Sequence, residues 1–227
     1  MGATANDSQP AAARGVAVFD LDGTITWRDT LLPYLGAALR RYPVRVLRLW
    51  PAPFVVARFV LDRDRGRLKA SLIRAVLGGL SRAAVAALTK AFLDGRLGSL
   101  VRPGAIAAIE RHRAAGDYLV ILSASTDFYV PEIGRRLGFD EVICTEVVWR
   151  DGCLDGALAS ANRRDAEKTR CLAGLRLRHP GARIAAYGNA GSDLDHLGRA
   201  DAPLLVNASS GTRRRAVALG IHCADWT

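Results

Sequence analysis

Acidic residues are scarce in this chain. Its 227 residues include 22 Asp and Glu against 32 Lys and Arg, a formal charge of +10. Such an excess favours an anionic partner: nucleic acid, a phosphorylated substrate or an acidic lipid surface. An Arg- and Ala-rich composition inherited from a GC-rich genome accounts for it equally well. The basic residues are scattered, and no zinc finger or recognition helix is visible, so nucleic acid is not expected as a partner. The four cysteines, Cys144, Cys153, Cys171 and Cys223, form no Cys-x-x-Cys pair, which argues against a zinc site. The first residues, with Asn6, Asp7, Ser8 and Gln9, lack a charged start followed by an apolar core, so no export signal is expected. The thiols are then expected to be reduced, in a cytoplasm. No stretch reaches the ~18 uncharged apolar residues that a membrane span needs. No internal repeat appears. Residues 1–14 are small, polar and aperiodic, and are expected to be disordered.

What the chain does have is apolar content for a core. Half the residues are hydrophobic and 24% are charged, as in a soluble globular protein with room for one domain and an insert. One stretch organises the rest: Val16-Ala17-Val18-Phe19-Asp20-Leu21-Asp22-Gly23-Thr24. Val16 to Phe19 reads as a strand buried on both faces. It runs into two carboxylates where the strand leaves the sheet, the end at which open α/β sheets bind ligands. Residues two apart on a strand share a face, so Asp20 and Asp22 can address one pocket. Carboxylates this close call for a cation or a shared proton, and Gly23 lets the chain turn away. An acidic turn is the bland alternative.

This motif resembles the signature of the haloacid dehalogenase superfamily in its phosphatase form. The resemblance implies that Asp20 attacks phosphorus, and that Asp22 protonates the leaving oxygen and then activates water. Dehalogenases of the superfamily lack the second carboxylate, so Asp22 points to phosphoryl transfer.

Residues 28–97 differ in character. Val44, Leu47, Val55, Phe59, Leu72, Val76, Val85, Leu88 and Phe92 recur at helical spacing, and Pro51, Pro53, Gly78 and Gly79 divide the run. This predicts a helical insert. The superfamily resemblance makes it a cap of about four helices, as in the subclass of phosphoserine phosphatase and bacterial phosphatidylglycerophosphatase. From Pro103 onward, strands and helices alternate. A helix over 103–116 precedes a strand over 118–122, a helix over 127–137 and a strand over 141–148. An Asp151-Gly152 hairpin follows, then a helix over 165–178, a strand over 183–187 and a last strand over 204–206. Alternation of this kind gives a parallel sheet with right-handed crossovers. The expected fold is α/β: a three-layer Rossmann-like core (15–27 and 98–227) with an inserted helical cap (28–97).

Three further motifs follow in the superfamily's order. Val120-Ile121-Leu122-Ser123-Ala124-Ser125 ends an apolar strand in a hydroxyl and free N–H groups, which suit phosphate oxygens. Lys168 matches the lysine motif, although a surface lysine is the bland alternative. Gly188-Asn189-Ala190-Gly191-Ser192-Asp193 matches the last motif, with Asn189 where relatives carry an acid. The resemblance places Gly23, Thr24, Ser123, Ala124 and Lys168 around the phosphate. It makes Mg²⁺ the cofactor, held by Asp20, the main-chain carbonyl of Asp22, Asn189 and Asp193. An amide oxygen still suits that ion, with less charge. The implied function is Mg²⁺-dependent phosphomonoester hydrolysis through an aspartyl-phosphate.

The expected substrate is a phosphorylated small molecule or lipid head group. Phosphoserine is one candidate, with Asp29 and Arg63, Arg65 or Arg67 to grip it. The pattern Arg28-Asp29-Thr30-Leu31-Leu32-Pro33-Tyr34-Leu35 resembles the lipid-phosphate relatives more. Arg40, Arg41, Arg45, Arg48 and Arg58 among Trp50, Phe54, Val55 and Phe59 suit a face lying on anionic lipid, at the inner side of the membrane. A packed cap with snorkelling arginines is the alternative, and a catalytically weak phosphate-binding protein is the non-enzyme one.

Overall fold

The computed structural model describes residues 14–226, so most of the segment expected to be disordered lies outside the described residues. Arg14 is held in place, with its guanidinium on the carbonyls of Gly116 and Asp117. The chain opens with β1 (Val16–Phe19) and a wide turn over Leu21–Ile25. Helices α1 (Leu31–Arg41), α2 (Ala52–Asp62), α3 (Arg65–Leu77), α4 (Arg82–Asp94) and the short α5 (Leu97–Leu100) follow. A tight 3-10 segment, Pro43–Leu49, joins α1 towards α2. Then come α6 (Pro103–Ala114), β2 (Tyr118–Thr126), α7 (Val130–Leu137), β3 (Glu141–Thr145), β4 (Val147–Arg150) and β5 (Cys153–Leu158). The chain continues through α8 (Ala166–Arg178), β6 (Ile184–Gly188), α9 (Leu194–Leu197), β7 (Ala202–Val206), α10 (Ser210–Ala218) and β8 (His222–Ala224).

Six strands form one sheet in the order β3-β2-β1-β6-β7-β8, every neighbouring pair parallel. The chain winds outward from β1 to β2 and β3, then returns to β6 on β1's other side. The β1/β6 boundary is therefore the topological switch point, where such sheets bind ligands. Period-two alternation splits each central strand between two layers. Ala17, Phe19, Leu119 and Ile121 join one apolar cluster with α6 and α7, while Val16, Val18, Val120 and Leu122 join the other with α8, α9 and α10. This is the expected three-layer α/β architecture.

The helical insert is not a separate core. Its Tyr34, Ile73, Val76, Leu77, Val85, Leu88 and Phe92 belong to the same cluster as Phe19 and Tyr129. Tyr34 stacks on Tyr129 with centroids 4.9 Å apart, an arrangement adding about 1 kcal/mol beyond its burial. Side-chain caps start two of the helices: Asp64 accepts from Arg67 N at 2.9 Å, and Ser81 from Ala84 N at 3.2 Å, each contributing about 1 kcal/mol. The β4–β5 hairpin turns through Asp151 and Gly152, both at positive φ, and clamps the insert from the core side. Gly79 N donates to Leu154 O at 2.8 Å and Leu154 N to Leu80 O at 2.9 Å. Gly156 lies so close to α3 that a Cβ there would sit 2.6 Å from Arg74 Cα.

Several sequence expectations need correction. The strand after α6 runs on to Thr126, with a register shift against β3 after Leu122, so Ser123 lies within β2 and not beyond it. The strand expected over 141–148 breaks at Glu146, because its second half pairs antiparallel in the hairpin. The last strand is β8, which pairs with β7 through Leu204–Val206. Val44 and Leu47, expected on an inward helical face, are 76% and 74% exposed, since their segment is a 3-10 turn with no buried residue.

Candidate active site

Asp20 is the first residue past β1, and its N–H donates to Tyr187 O on β6 at 3.0 Å. That bond fixes the acid at the switch point. A cavity of about 400 Å³ opens there, lined by Asp20, Asp22, Lys168, Asn189 and Asp193, with Ala124 and Ser125 from the end of β2. Its insert side brings Leu31, Leu32, Phe59, Leu68 and Leu72, and also Asp29, Arg65 and Lys69.

Lys168, expected from order alone, is 3% exposed. Its ammonium donates to Asp20 Oδ1 at 2.6 Å and Asp193 Oδ1 at 2.7 Å. Burial would pull Lys168 down, but the two carboxylates outweigh it and hold the group above its usual value, so it stays charged. Burial lifts the Asp20 carboxyl to about 7 even with Lys168 beside it. Burial works on Asp193 too, yet Lys168 and the hydrogen bond from Ala190 N hold it below the ordinary range. Its Oδ2 accepts from Asn189 N at 3.1 Å and Ala190 N at 2.9 Å, which shapes the loop after β6.

Asp22 is set apart from Asp20. Its Oδ1 accepts from Thr30 N and Thr30 Oγ1, each at 2.7 Å, and its Oδ2 from Ser125 Oγ at 2.6 Å. Burial and then Asp29 raise its carboxyl despite those donors. A half-buried acid with a raised pKa is the environment a proton donor needs.

Gly23 and Thr24 do not line the cavity. Thr24 Oγ1 donates to Asp20 Oδ2 at 3.0 Å and approaches Asn189 Oδ1 at 3.4 Å, tying the two loops together. Gly23 has φ +86°, and a Cβ there would lie 2.1 Å from Asn189 Nδ2. Both residues lie beside the acids, outside the cavity lining. Ser123 is fully buried behind Ala124 and Ser125, and accepts from Ser125 N at 3.0 Å. Its own hydroxyl hydrogen has no acceptor among the described residues. Among the remaining sequence candidates, Arg67 turns away to Asp62 and Asp64, while Asp29 and Arg65 reach the cavity.

Three carboxylates, Asp20, Asp22 and Asp193, share this buried site with Lys168. That surplus of negative charge and hard oxygen donors fits a divalent cation of the magnesium type. Among the described residues no three of His, Cys, Asp or Glu form a metal cluster. The donor set around Asp20 and Asp193 therefore needs the Asn189 amide oxygen and main-chain oxygen to be complete.

Sequence reasoning missed Lys69. It reaches from α3 to the core, donating to Ala124 O and to Asn162 Oδ1, the latter at 2.7 Å. A lysine on an amphipathic helix reads as surface, and no local signal marked it. Only the contact between the insert and the end of β2 reveals it.

The family model for haloacid dehalogenase-like hydrolases matches residues 17–197. The chain belongs to that family. The match contains every acid of the site, together with Lys168 and Lys69. Among curated relatives, protein CicA of Caulobacter vibrioides is 38% identical over 192 residues, covering 82% of this chain and 83% of its own. A probable phosphatase of Mycobacterium tuberculosis is 28% identical over 217 residues, covering 92% and 74%. Among solved structures, phosphoserine phosphatase in its apo form superposes with a TM-score of 0.64 at 16% identity, covering 92% of each chain. At that identity the superposition speaks for the fold alone.

Proposed function

We propose that this hydrolase is a phosphomonoesterase with Asp20 as nucleophile and Asp22 as general acid and base. The observation that carries the reading is the pairing of two differently held carboxylates in one cavity. Asp20 is held by charged Lys168. Asp22 is held by hydroxyl and main-chain donors, with its carboxyl raised. An Asp20 oxygen attacks phosphorus as the bond to the leaving alcohol breaks, and the Asp22 proton passes to the departing oxygen. Asp22, now a carboxylate, takes a proton from water, whose oxygen attacks the aspartyl-phosphate and frees Asp20 and inorganic phosphate. Lys168 neutralises charge on the phosphoryl oxygens, while Ser123, behind the cavity wall, accepts from the Ser125 amide. Magnesium bound by Asp20, the Asp22 carbonyl, Asn189 and Asp193 would supply charge screening between the nucleophile and the phosphate dianion. The test is hydrolysis of an aryl phosphate with magnesium. A purified, folded protein without turnover, in the presence of the metal, refutes the reading.

A lipid or other bulky phosphomonoester is favoured over a small polar one by the apolar side of the cavity, Leu31, Leu32, Phe59, Leu68 and Leu72. The cap also presents Trp50 at 75% exposure and Phe54 at 72%. No helix among the described residues is long and apolar enough to cross a membrane, so contact would be peripheral, on an anionic cytoplasmic leaflet. The basic side chains are less free than the sequence suggests. Arg45 donates to the carbonyls of Val76 and Gly78 and Arg48 to that of Gly78, and Arg58 pairs with Asp62 at 3.4 Å. Arg40 and Arg41 are left with neither a carboxylate nor a carbonyl partner among the described residues. Phe59 faces the cavity and is not part of this outer surface. Phosphoserine remains the small-metabolite alternative, with Asp29 placed to meet its ammonium. Parallel kinetics on phosphoserine and on a short-chain lipid phosphate separate the two.

A further inference from the structure

Lys69 is a cap residue that bonds almost entirely to the core. Its stem rises from α3, while its two acceptors, Ala124 O and Asn162 Oδ1, belong to the end of β2 and the loop before α8. Both acceptors are shared with Thr145, a fully buried residue of β3. Thr145 Oγ1 donates to Ala124 O at 2.8 Å and lies 3.4 Å from Asn162 Oδ1. Cap and core thus meet in a closed polar node at the wall of the catalytic cavity, next to Ala124 and Ser125.

The acceptor on β2 matters chemically. Ala124 C=O and Ser125 N–H belong to one peptide unit. A cation on the oxygen of that unit polarises it and strengthens the donation from its N–H. That N–H holds Ser123 Oγ at 3.0 Å. One atom chain further on, Ser125 Oγ donates to Asp22 Oδ2 at 2.6 Å. The orientation of a single peptide plane therefore fixes the Ser123 hydroxyl behind the cavity wall and, on the wall, the Ser125 partner of the general acid. β2 is irregular here, with its register against β3 shifted between Leu122 and Thr126. Ladder pairing alone does not hold the plane, which raises the weight of the bonds at its oxygen.

We propose that Lys69 is a positioning residue of the phosphoryl site, locking the cap onto the end of β2 and, through the Ala124–Ser125 peptide, setting the Ser123 and Ser125 hydroxyls. This rests on the phosphatase reading for its effect on turnover, though not for its effect on the peptide. The residue touches no reacting atom in this scheme. The role explains why a long, half-buried amine stands beside a cavity already supplied with Lys168. Burial lowers Lys69 to about 8, opposed by Asp22 and Asp29 and assisted by Arg164, so the ammonium remains charged at neutral pH. A competing explanation is that Lys69 only fastens the cap mechanically.

The experiment compares the wild-type chain with Lys69→Met, Lys69→Arg and Asn162→Ala. Lys69→Met keeps the apolar stem and removes the donors; Lys69→Arg keeps charge and donors; Asn162→Ala removes the fastening acceptor but leaves Ala124. Steady-state kinetics use an aryl phosphate too small to need the cap. Hydrogen exchange follows the Ser125 amide, with the β1 amides as internal control. Lys69→Met is expected to lower kcat by about tenfold or more, with KM changed much less. The Ser125 amide should exchange at least about tenfold faster, while β1 is unaffected. Lys69→Arg should recover a substantial part of both, and Asn162→Ala should leave both within about threefold of wild type. If Lys69→Met keeps wild-type kcat and Ser125 protection, the proposal is overturned. It is also overturned if Asn162→Ala matches Lys69→Met, since fastening would then be the whole role. A wild-type protein without turnover would count against the phosphatase reading alone, because the exchange comparison still decides the positioning role.

Discussion

Replacing Asp20 by Asn should make the metal-free protein more stable while destroying its activity. Burial raises the Asp20 carboxyl from 3.8 to about 7, a difference of roughly 3 pH units, each equivalent to about 1.4 kcal/mol. A carboxyl whose folded pKa lies above its unfolded one makes no difference below pH 3.8, where both states are protonated. Between 3.8 and about 7 the folded chain binds the extra proton, so stability falls as pH rises, and above 7 the full penalty of about 4 kcal/mol applies. Asparagine removes the charge and can still accept from Lys168, whose attraction is already contained in the raised value. A gain of about 4 kcal/mol at pH 8 is therefore expected, or about 10 °C in melting temperature for a chain of this size. The assay is thermal unfolding of both proteins in chelator at pH 8 and at pH 4, where the gap should close. Magnesium should narrow or reverse the pH 8 gap, because it stabilises the wild type by mass action. Aryl phosphate turnover of the variant should fall below roughly a tenth of wild type. An Asn variant no more stable than wild type at pH 8 would refute the burial penalty, and one that keeps turnover would refute the nucleophile.

Asn189→Asp should tighten the magnesium requirement of turnover and Asn189→Leu should weaken it; an unchanged magnesium titration in both removes Asn189 from the ligand set. Gly23→Ala forces a Cβ to 2.1 Å from Asn189 Nδ2 at a φ of +86°, so it should cost about 1 kcal/mol or more in stability and most of the activity, read by denaturant unfolding and aryl phosphate assay. Gly156→Ala, against the backbone of α3, should loosen the cap, seen as faster proteolysis within residues 52–77 while the core stays protected. Binding to phosphatidylglycerol vesicles should fall with salt and with Trp50→Ala, with no binding to neutral vesicles; absence of co-sedimentation at low salt would return a soluble phosphomonoester to first place.

The sheet was legible in the residues because its central strands are buried on both faces and so carry unbroken apolar runs. Val16–Phe19 and Tyr118–Leu122 announced themselves, and the acids at the end of β1 announced the site. Asp20, Asp22, Lys168, Asn189 and Asp193 converge on one cavity, as their order along the chain suggested. What the chain could not show locally is which groups fold back on one another. Ser123 and Ser125 stand two apart with the same hydroxyl, and only the bulged end of β2 puts Ser125 on the cavity wall and Ser123 behind it. Thr24 and Gly23 looked like phosphate ligands, and the closed loop makes them the seam between Asp20 and Asn189. The arginines of residues 40–60 looked like a free basic face until the carbonyls of Val76 and Gly78 captured Arg45 and Arg48. Lys69 is the plainest case. By itself it determines only a charge on a helix, and its place in the site depends on a carbonyl 55 residues away that tertiary packing alone brings within reach. Strand burial is written in adjacent residues, whereas cap-to-core contacts join residues with no local pattern in common, so sequence fixes the first and packing decides the second.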